Sequence, residues 1–345
     1  GARLYEVKVD EKAFVMRYAA CHQQFAMVKD WALSYRNVPF GTFEVADSYR
    51  LEQSGELLLC FRVRKLHMPD LHIYCKNLDE AKEMSMKVHK KIYQEIRKLD
   101  RDYVSIYNTT KSFFEKNREF FDELIKVERK PILLNFVPED IYYWVINVEY
   151  TVIDELERPR EIATFQIDMG NAERFGIAYT DRDGTKRYPP IIHTALLGTV
   201  ERYLFTVLDE ASKMEKEGKK PMVPVWLSPV QLRIIPIRRR QIALAKRLLA
   251  ELERANVRVD VDDREESLSK KIRDAEISWI PYIVVLGEKE MRSKNFPVRV
   301  RGKDSQVKMS LKMLIQSISD ETAGYPYRAL TVPRLVSERP GYKVI

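Results

Sequence analysis

The stretch VMRYAACHQQF, residues 15–25, sets Cys21 directly beside His22. A thiol next to an imidazole raises the question of a metal site. Adjacent residues seldom chelate one ion together, because in a strand they face opposite sides and in a helix they stand about 100° apart. At most one of the two is a ligand, and its partners must come from far along the chain. The chain has five histidines (His22, His67, His72, His89 and His193) and three cysteines (Cys21, Cys60 and Cys75), with neither type after His193. A soft-ligand site is therefore confined to the first part of the chain. MPDLHIYC offers His72 and RYPPIIHTALLGTVER offers His193. Each is weak alone, since a single histidine is more often a satisfied core or surface residue.

A second group of residues suits phosphate chemistry. In YRLEQSGEL (49–57), Arg50 and Glu52 stand two apart on a strand entering a loop, hence on one face. In GTVERYL (198–204), Arg202 sits on a glycine-led helix. These stretches resemble motifs 2 and 3 of the class II aminoacyl-tRNA synthetases. Together with the cysteine and histidine stretches, the pattern is similar to the archaeal type of the threonyl-tRNA synthetases, over nearly the whole chain.

The resemblance implies a set of roles. Cys21, His72 and His193 would be the ligands of one zinc ion, with a fourth position open to the amino group and hydroxyl of threonine. Asp70, two before His72, would bind the threonine hydroxyl, and Thr164 and Gln166 would line the amino-acid pocket. Arg50 would hold the α-phosphate of ATP and the substrate carboxylate, Glu52 the adenine amino group, and Arg62 and Arg202 the outer phosphates. Arg50 and Arg202 would be the catalytic residues. A carboxylate attacking a polyanion in line needs fixed guanidinium groups, together with Mg2+, to offset charge as it redistributes. No covalent nucleophile is required. His67, one step from the favourable strand face, is an alternative ATP contact. His22 is read as a neighbour of the site, and Cys60 and Cys75 as buried strand cysteines. In LGEKEMRSKNFPVRVRGKD, Glu290 and Arg299 match the positions that read anticodon bases in the family. Trp279 and Lys271 are further candidates for stacking or phosphate contact. The partners implied are threonine, ATP, tRNA(Thr), a second copy of the chain where motif 1 is present, and a separate editing protein.

The elements that must position these residues follow from composition and periodicity. At 345 residues with a net charge of +8, the chain has room for two domains, and its charge permits a polyanionic partner. Three cysteines cannot build a disulfide framework. The longest nearly apolar run, residues 277–287, is too short to span a bilayer, and the first residues hold no apolar signal core. A soluble, cytoplasmic protein with no membrane contact is expected. Residues 1–218 read as an α+β catalytic domain built on an antiparallel sheet. Helices are expected at 24–34, 78–98, 111–126 and across 191–211, and strands over 141–154 and 161–169. Residues 211–222, ASKMEKEGKKPM, read as a linker. Residues 222–345 alternate strand and helix, which points to a small three-layer α/β anticodon-binding domain with a mostly parallel sheet.

The pattern departs from the family in places. Neither motif 1 nor the N-terminal editing domain is recognisable in the chain. Met68 stands where many relatives have glutamine, and Trp144 falls near an expected tyrosine. The function expected is threonine activation and transfer to tRNA. The alternatives are a synthetase-like, non-catalytic tRNA-binding protein and another class IIa synthetase. The Cys, His, His set speaks against the latter, and the retained arginines against the former.

Overall fold

A computed structural model of the chain describes residues 3–340. Residues 1–2 and 341–345, the outermost ends of the two expected domains, lie outside the described residues. The chain divides into two compact units, Gly1–Glu210 and Ala211–Ile345.

The first unit opens with a hairpin of β1 (Glu6–Val9) and β2 (Lys12–Val15), then helix α1 (Cys21–Val28) and the short strand β3 (Leu33–Ser34). Strands β4 (Phe40–Tyr49) and β5 (Lys65–Tyr74) precede the long helix α2 (Leu78–Arg97). Next come β6 (Val104–Thr110), helices α3 (Lys111–Lys116) and α4 (Arg118–Glu128), and strands β7 (Leu133–Val137), β8 (Trp144–Ile153) and β9 (Pro159–Asp168). After α5 (Asn171–Phe175), the short strands β10 (Tyr179–Thr180) and β11 (Lys186–Arg187) lead to β12 (Ile191–Ala195) and α6 (Val200–Lys216). Seven strands form one sheet in the order β4-β5-β12-β9-β8-β6-β7. All its pairings are antiparallel except β6 with β7.

One face of this sheet is covered. The buried side of α2 (Ala81, Val88, Ile92, Ile96) and of α4 (Phe120, Phe121, Leu124) packs there on Ile146, Val148, Phe165 and Ile192. That burial leaves the opposite face of the central strands free to build a cleft.

Several expectations need correction. Residues 191–195 are strand, not helix. IIHTA is buried on both faces between β5 and β9, and a fully buried strand lacks the alternation that separates it from a helix. The expected helix at 24–34 begins earlier and ends at Val28, and that at 111–126 is broken at Asn117. Helix α6 continues through residues 211–216, the first half of the expected linker. Lysine and glutamate are good helix formers. The helix stops at Gly218, in the left-handed region with φ 75°, where the Lys219 N–H closes on the Met214 carbonyl at 2.8 Å.

The second unit has β13 (Leu232–Pro236), α7 (Ile242–Arg254), β14 (Val259–Val261), α8 (Leu268–Ile277), β15 (Tyr282–Leu286), β16 (Asn295–Val300), β17 (Val307–Ser310) and α9 (Leu311–Thr322). Its sheet order is β14-β13-β15-β16-β17. Strand β13 runs parallel to β14 and β15, whereas β16 and β17 are antiparallel, so the sheet is mixed rather than mostly parallel. Leu232 and Ile234 face α7 and α9, while Ile235 and Ile283 face α8, which gives the three layers. Among the described residues, no helix is long and apolar enough to cross a membrane.

Gly198 fixes where α6 starts. Its φ is +66°, its N–H donates to the Ala195 carbonyl at 3.0 Å, and an added Cβ would lie 2.7 Å from the Ile162 carbonyl oxygen. Gly198→Ala should destabilise the first unit by about 1–3 kcal/mol from the backbone conformation alone. The urea midpoint measures it, and an unchanged midpoint would show that the turn relaxes freely.

Candidate active site and metal centre

Period-2 alternation along β5 sends Leu66, Met68 and Asp70 into one cleft and carries His72 on the same face. In the antiparallel register His193 of β12 lies opposite His72 on one side and opposite Gln166 of β9 on the other. Three strands thus place His72, His193 and Gln166 in a single row. Thr164 shares the Gln166 face and stands opposite Ala195. Helix α1 brings Cys21 over this row from its first turn.

The ligand atoms of Cys21, His72 and His193 all lie within 4.8 Å of one another. Cys21 Sγ is 3.8 Å from His193 Nδ1, and the two imidazole rings are 4.6 Å apart at 78°. Beneath them Phe25 presents edge contacts to His72 at 5.2 Å and to His193 at 5.7 Å. The surroundings disfavour charge. Burial, with the neighbouring Asp70 charge, pushes the Cys21 thiol up to about 12. Burial, then the neighbouring His193, pulls His72 down to about 2, and burial raises Asp70 to about 6. Asp70 Oδ2 is 3.8 Å from His72 Nε2.

These residues fit a metal ion. His72 Nε2 is buried without any hydrogen-bond partner, and a thiol and a second imidazole stand around it. One sulfur and two nitrogens are a donor set that zinc takes readily, and a dication would favour the thiolate and the neutral imidazoles together.

The same cleft, about 570 Å³, runs from Cys21 to a group of arginines. Arg50 lies at its wall with its guanidinium carbon 5.0 Å from the Tyr18 ring and its Nε buried without a partner. Glu52 is only 4% exposed. Its carboxylate accepts from Arg62 Nε at 3.0 Å and from Arg3 Nη1 at 3.3 Å. Arg202 is presented from the first turn of α6, where Thr199 Oγ1 accepts its N–H at 3.1 Å. Its guanidinium lies 4.5 Å from the Phe61 ring centre and donates to the Glu161 carbonyl at 3.1 Å. Arg160 also lies over Phe61, at 5.0 Å. An apolar ring bracketed by cations beside fixed arginines suits a flat base joined to phosphates.

Other expectations fare differently. His67 points away from the cleft, its Nδ1 2.5 Å from Glu201 and its Nε2 3.2 Å from Asp47, because it is odd where Met68 and Asp70 are even. The tyrosine sought near Trp144 is Tyr143, whose hydroxyl donates to Gln166 Oε1 at 2.7 Å. Trp144 instead stacks on Tyr142 at 4.4 Å, beside a bulge in the β8–β9 pairing. Cys75 is buried, but Cys60 is half-buried in a loop with φ 57°. His22 stays beside the site, 6.0 Å from the Phe175 ring. In the second unit the Glu290 carboxylate folds back to accept from the Gly287 N–H at 2.9 Å, and Arg299 is exposed on β16. Lys271 is buried, its ammonium directed to the Pro236 carbonyl at 3.4 Å, so it offers no free phosphate contact.

Sequence reasoning missed Phe61, Arg160, Arg3, Gln24 and Asp168. Gln24, three residues after Cys21 on α1, and Asp168, two after Gln166 on β9, lie at helical and strand spacing from predicted residues, a signal that was available. Phe61 and Arg160 carried none.

Comparison with known proteins now bears on the whole arrangement. The family described as tRNA synthetase class II core domain (G, H, P, S and T) matches residues 5–211, and the family described as anticodon binding domain matches residues 231–321. The chain belongs to the class II aminoacyl-tRNA synthetases. It is 61% identical over 342 residues to a threonine–tRNA ligase of Thermofilum pendens, covering 99% of this chain and 56% of that protein. It is 56% identical to that of Staphylothermus marinus, covering 99% and 55%. The chain thus spans little more than half the length of these relatives. Among solved structures it is similar to the RNA binding domain of threonyl-tRNA synthetase from Cryptosporidium parvum. There the TM-score is 0.77 and the identity 27%, over 94% of this chain and 80% of that one. Prolyl-tRNA synthetase of the same organism, at 17% identity and TM-score 0.70, shares the fold over 94% of this chain and 62% of its own. An α+β class II core domain followed by an α/β domain of the anticodon binding family is therefore the fold of this chain.

Phe25 is the packing floor of the histidine pair. Phe25→Ala should destabilise the first unit by about 3–5 kcal/mol, the usual cost of emptying a buried aromatic site. Guanidinium-induced unfolding reads this directly, and a loss under one kcal/mol, on the order of a surface change, would show that the ring is not the support.

Proposed function

We propose that this chain activates threonine with ATP and passes it to tRNA(Thr), using zinc to recognise the amino acid. The observation that carries the reading is one cleft lined by Cys21 and His193, whose ligand atoms lie within 4.8 Å of that of the buried, unpartnered His72, and by the guanidinium groups of Arg50 and Arg202. A zinc ion held there would supply a Lewis acid with room for an amino group and a hydroxyl.

The chain's own residues do the rest. Asp70, at the cleft wall beside the cluster, accepts the threonine hydroxyl, while Gln166 and Thr164 shape the pocket around the side chain. Arg50 draws the amino-acid carboxylate and the α-phosphate of ATP together. The carboxylate oxygen attacks the α-phosphorus, the bond to the bridging oxygen breaks, and pyrophosphate leaves with that electron pair; a Mg2+ ion carried in with ATP would offset part of its charge. Arg62 and Arg202 neutralise the departing phosphates, and Glu52 accepts from the adenine amino group. Arg62 must then exchange its present Glu52 contact for phosphate when ATP enters. In the second step a terminal tRNA hydroxyl attacks the adenylate carbonyl and AMP leaves. Glu290 and Arg299 read anticodon bases on the second unit. A homodimer and a separate editing protein are further partners of this reading.

Discrimination among amino acids tests the first step. Valine lacks the hydroxyl and leaves Asp70 unpaired, so it should be rejected by about 10⁴–10⁵, whereas serine, short of one methyl, should be disfavoured only about 10–200-fold. Pyrophosphate exchange with threonine, serine and valine measures this, with Arg202→Ala expected to lose about 10²–10³ in rate, as for removal of one transition-state donor. Valine activated as readily as serine would sink the reading.

The anticodon assignment is tested separately. Glu290→Ala and Arg299→Ala should each weaken tRNA charging by about 1–3 kcal/mol in transition-state terms while leaving exchange unchanged. Equal loss in both half-reactions would place these residues in folding instead.

A further inference from the structure

We infer that Asp168 and Gln24 are positioning residues that hold the two imidazoles in opposite tautomers, so that His193 meets the metal through Nδ1 and His72 through Nε2. This rests on the metal reading above and deepens it.

Asp168 is 1% exposed at the end of β9. One of its carboxylate oxygens accepts from the backbone N–H groups of Gly170 and Asn171, each at 2.9 Å, and the other from Asn171 Nδ2 at 2.8 Å. Both of its oxygens thus act as acceptors. His193 Nε2 lies 2.7 Å from the same Oδ2, and a carboxylate there requires a donor, so Nε2 carries the proton. A neutral imidazole has only one proton. Nδ1 is left with its lone pair, and Nδ1 is the nitrogen that faces Cys21 Sγ at 3.8 Å.

His72 is set the other way round. Its Nδ1 is 2.9 Å from Gln24 Oε1, which also accepts the Thr42 hydroxyl at 2.5 Å. With the proton on Nδ1 that hydrogen bond is made. With the proton on Nε2, a buried donor would have no partner, which is unfavourable. Nε2 therefore presents its lone pair toward Cys21 and His193.

Each support lies on an element that carries another part of the site. Gln24 is one turn beyond Cys21 on α1, so the helix that delivers the thiol also orients one imidazole. Asp168 is two beyond Gln166 on β9, so the strand that lines the amino-acid pocket orients the other. Movement of α1 changes a ligand and an orienter together, and movement of β9 a pocket residue and an orienter.

The test uses the intact chain loaded with zinc, with long-range 1H–15N NMR of the histidine rings and zinc affinity from competition with a chromophoric chelator. His193 should show a protonated Nε2 and a metal-bound Nδ1, and His72 the reverse. Both rings bound through the same nitrogen would overturn the inference while leaving the zinc reading intact. Failure to bind stoichiometric zinc would remove both. Asp168→Asn should keep the turn at Gly170 and Asn171, but its amide can donate to His193 Nε2 and so move the proton onto Nδ1. Its zinc affinity should fall about 10–100-fold, as for loss of other hydrogen-bonding supports of metal ligands. Wild-type affinity in that variant would overturn the role of Asp168. Should it fail to fold, as far-UV circular dichroism would show, Gln24 decides. Gln24→Leu should lose affinity and shift the His72 ring signals, and Gln24→Glu, which still accepts from Nδ1, should restore both. Wild-type affinity and unshifted signals in Gln24→Leu would overturn the inference.

Discussion

The register of three antiparallel strands carries the site. Because β5, β12 and β9 pair with His72, His193 and Gln166 in one row, the candidate metal ligands and the proposed amino-acid pocket share a single face. A slip of one residue in β12 would turn His193 to the opposite side, among the aliphatic residues that α2 covers. The covered face therefore specifies the open one. Ile73 and Ile192 anchor the sheet against α2, and their alternate neighbours have no choice of side.

Electrostatics divides the cleft into two ends. At the histidine end burial pushes Cys21, Asp70 and His72 toward their neutral forms, so a cation would supply what the protein withholds. At the other end the guanidinium groups are already held in place, Arg62 by Glu52, Arg202 by Glu161 and Phe61, and Arg50 against the Tyr18 ring. Pairing keeps side chains of high rotamer entropy in place before a polyanion arrives, at the cost of contacts that must be exchanged. Gly198 links the ends, since the turn it makes out of β12 starts the helix that carries Arg202.

The second unit is built by a different rule. Its central strand β13 alternates residues between two helical layers, and the buried pair Arg233–Asp260, with contacts of 2.8 and 2.9 Å, ties β13 to β14. The residues expected to meet RNA lie away from that core, in the loop after β15 and on the exposed side of β16. A scaffold whose sheet is buried on both faces leaves recognition to loops and edges.

Much of this was legible in the chain by itself. Residue types drew attention to Cys21, His72, His193, Arg50, Glu52 and Arg202, because a metal or a polyanion demands particular donors, and the resemblance to the class II synthetases supplied their roles. Period-2 spacing puts Asp70 with His72, whereas Arg50 and Glu52 were read as strand and lie in the loop past the end of β4. Element type was legible wherever one face meets water, as in α2 and α7, where polar and apolar residues separate at helical period. It failed at Ile191–Ala195, where burial on both faces erased the alternation, and at residues 211–216, where helix-forming charged residues resemble a linker in composition. What only the tertiary structure decided was which groups meet across long separations. Phe61 came beneath Arg202, Tyr143 rather than Trp144 took the pocket, and Asp168 and Gln24 came behind the two imidazoles. Those contacts depend on strand register, a bulge and the approach of a helix, and each is fixed by the packing of many residues at once rather than by the chemistry of any one.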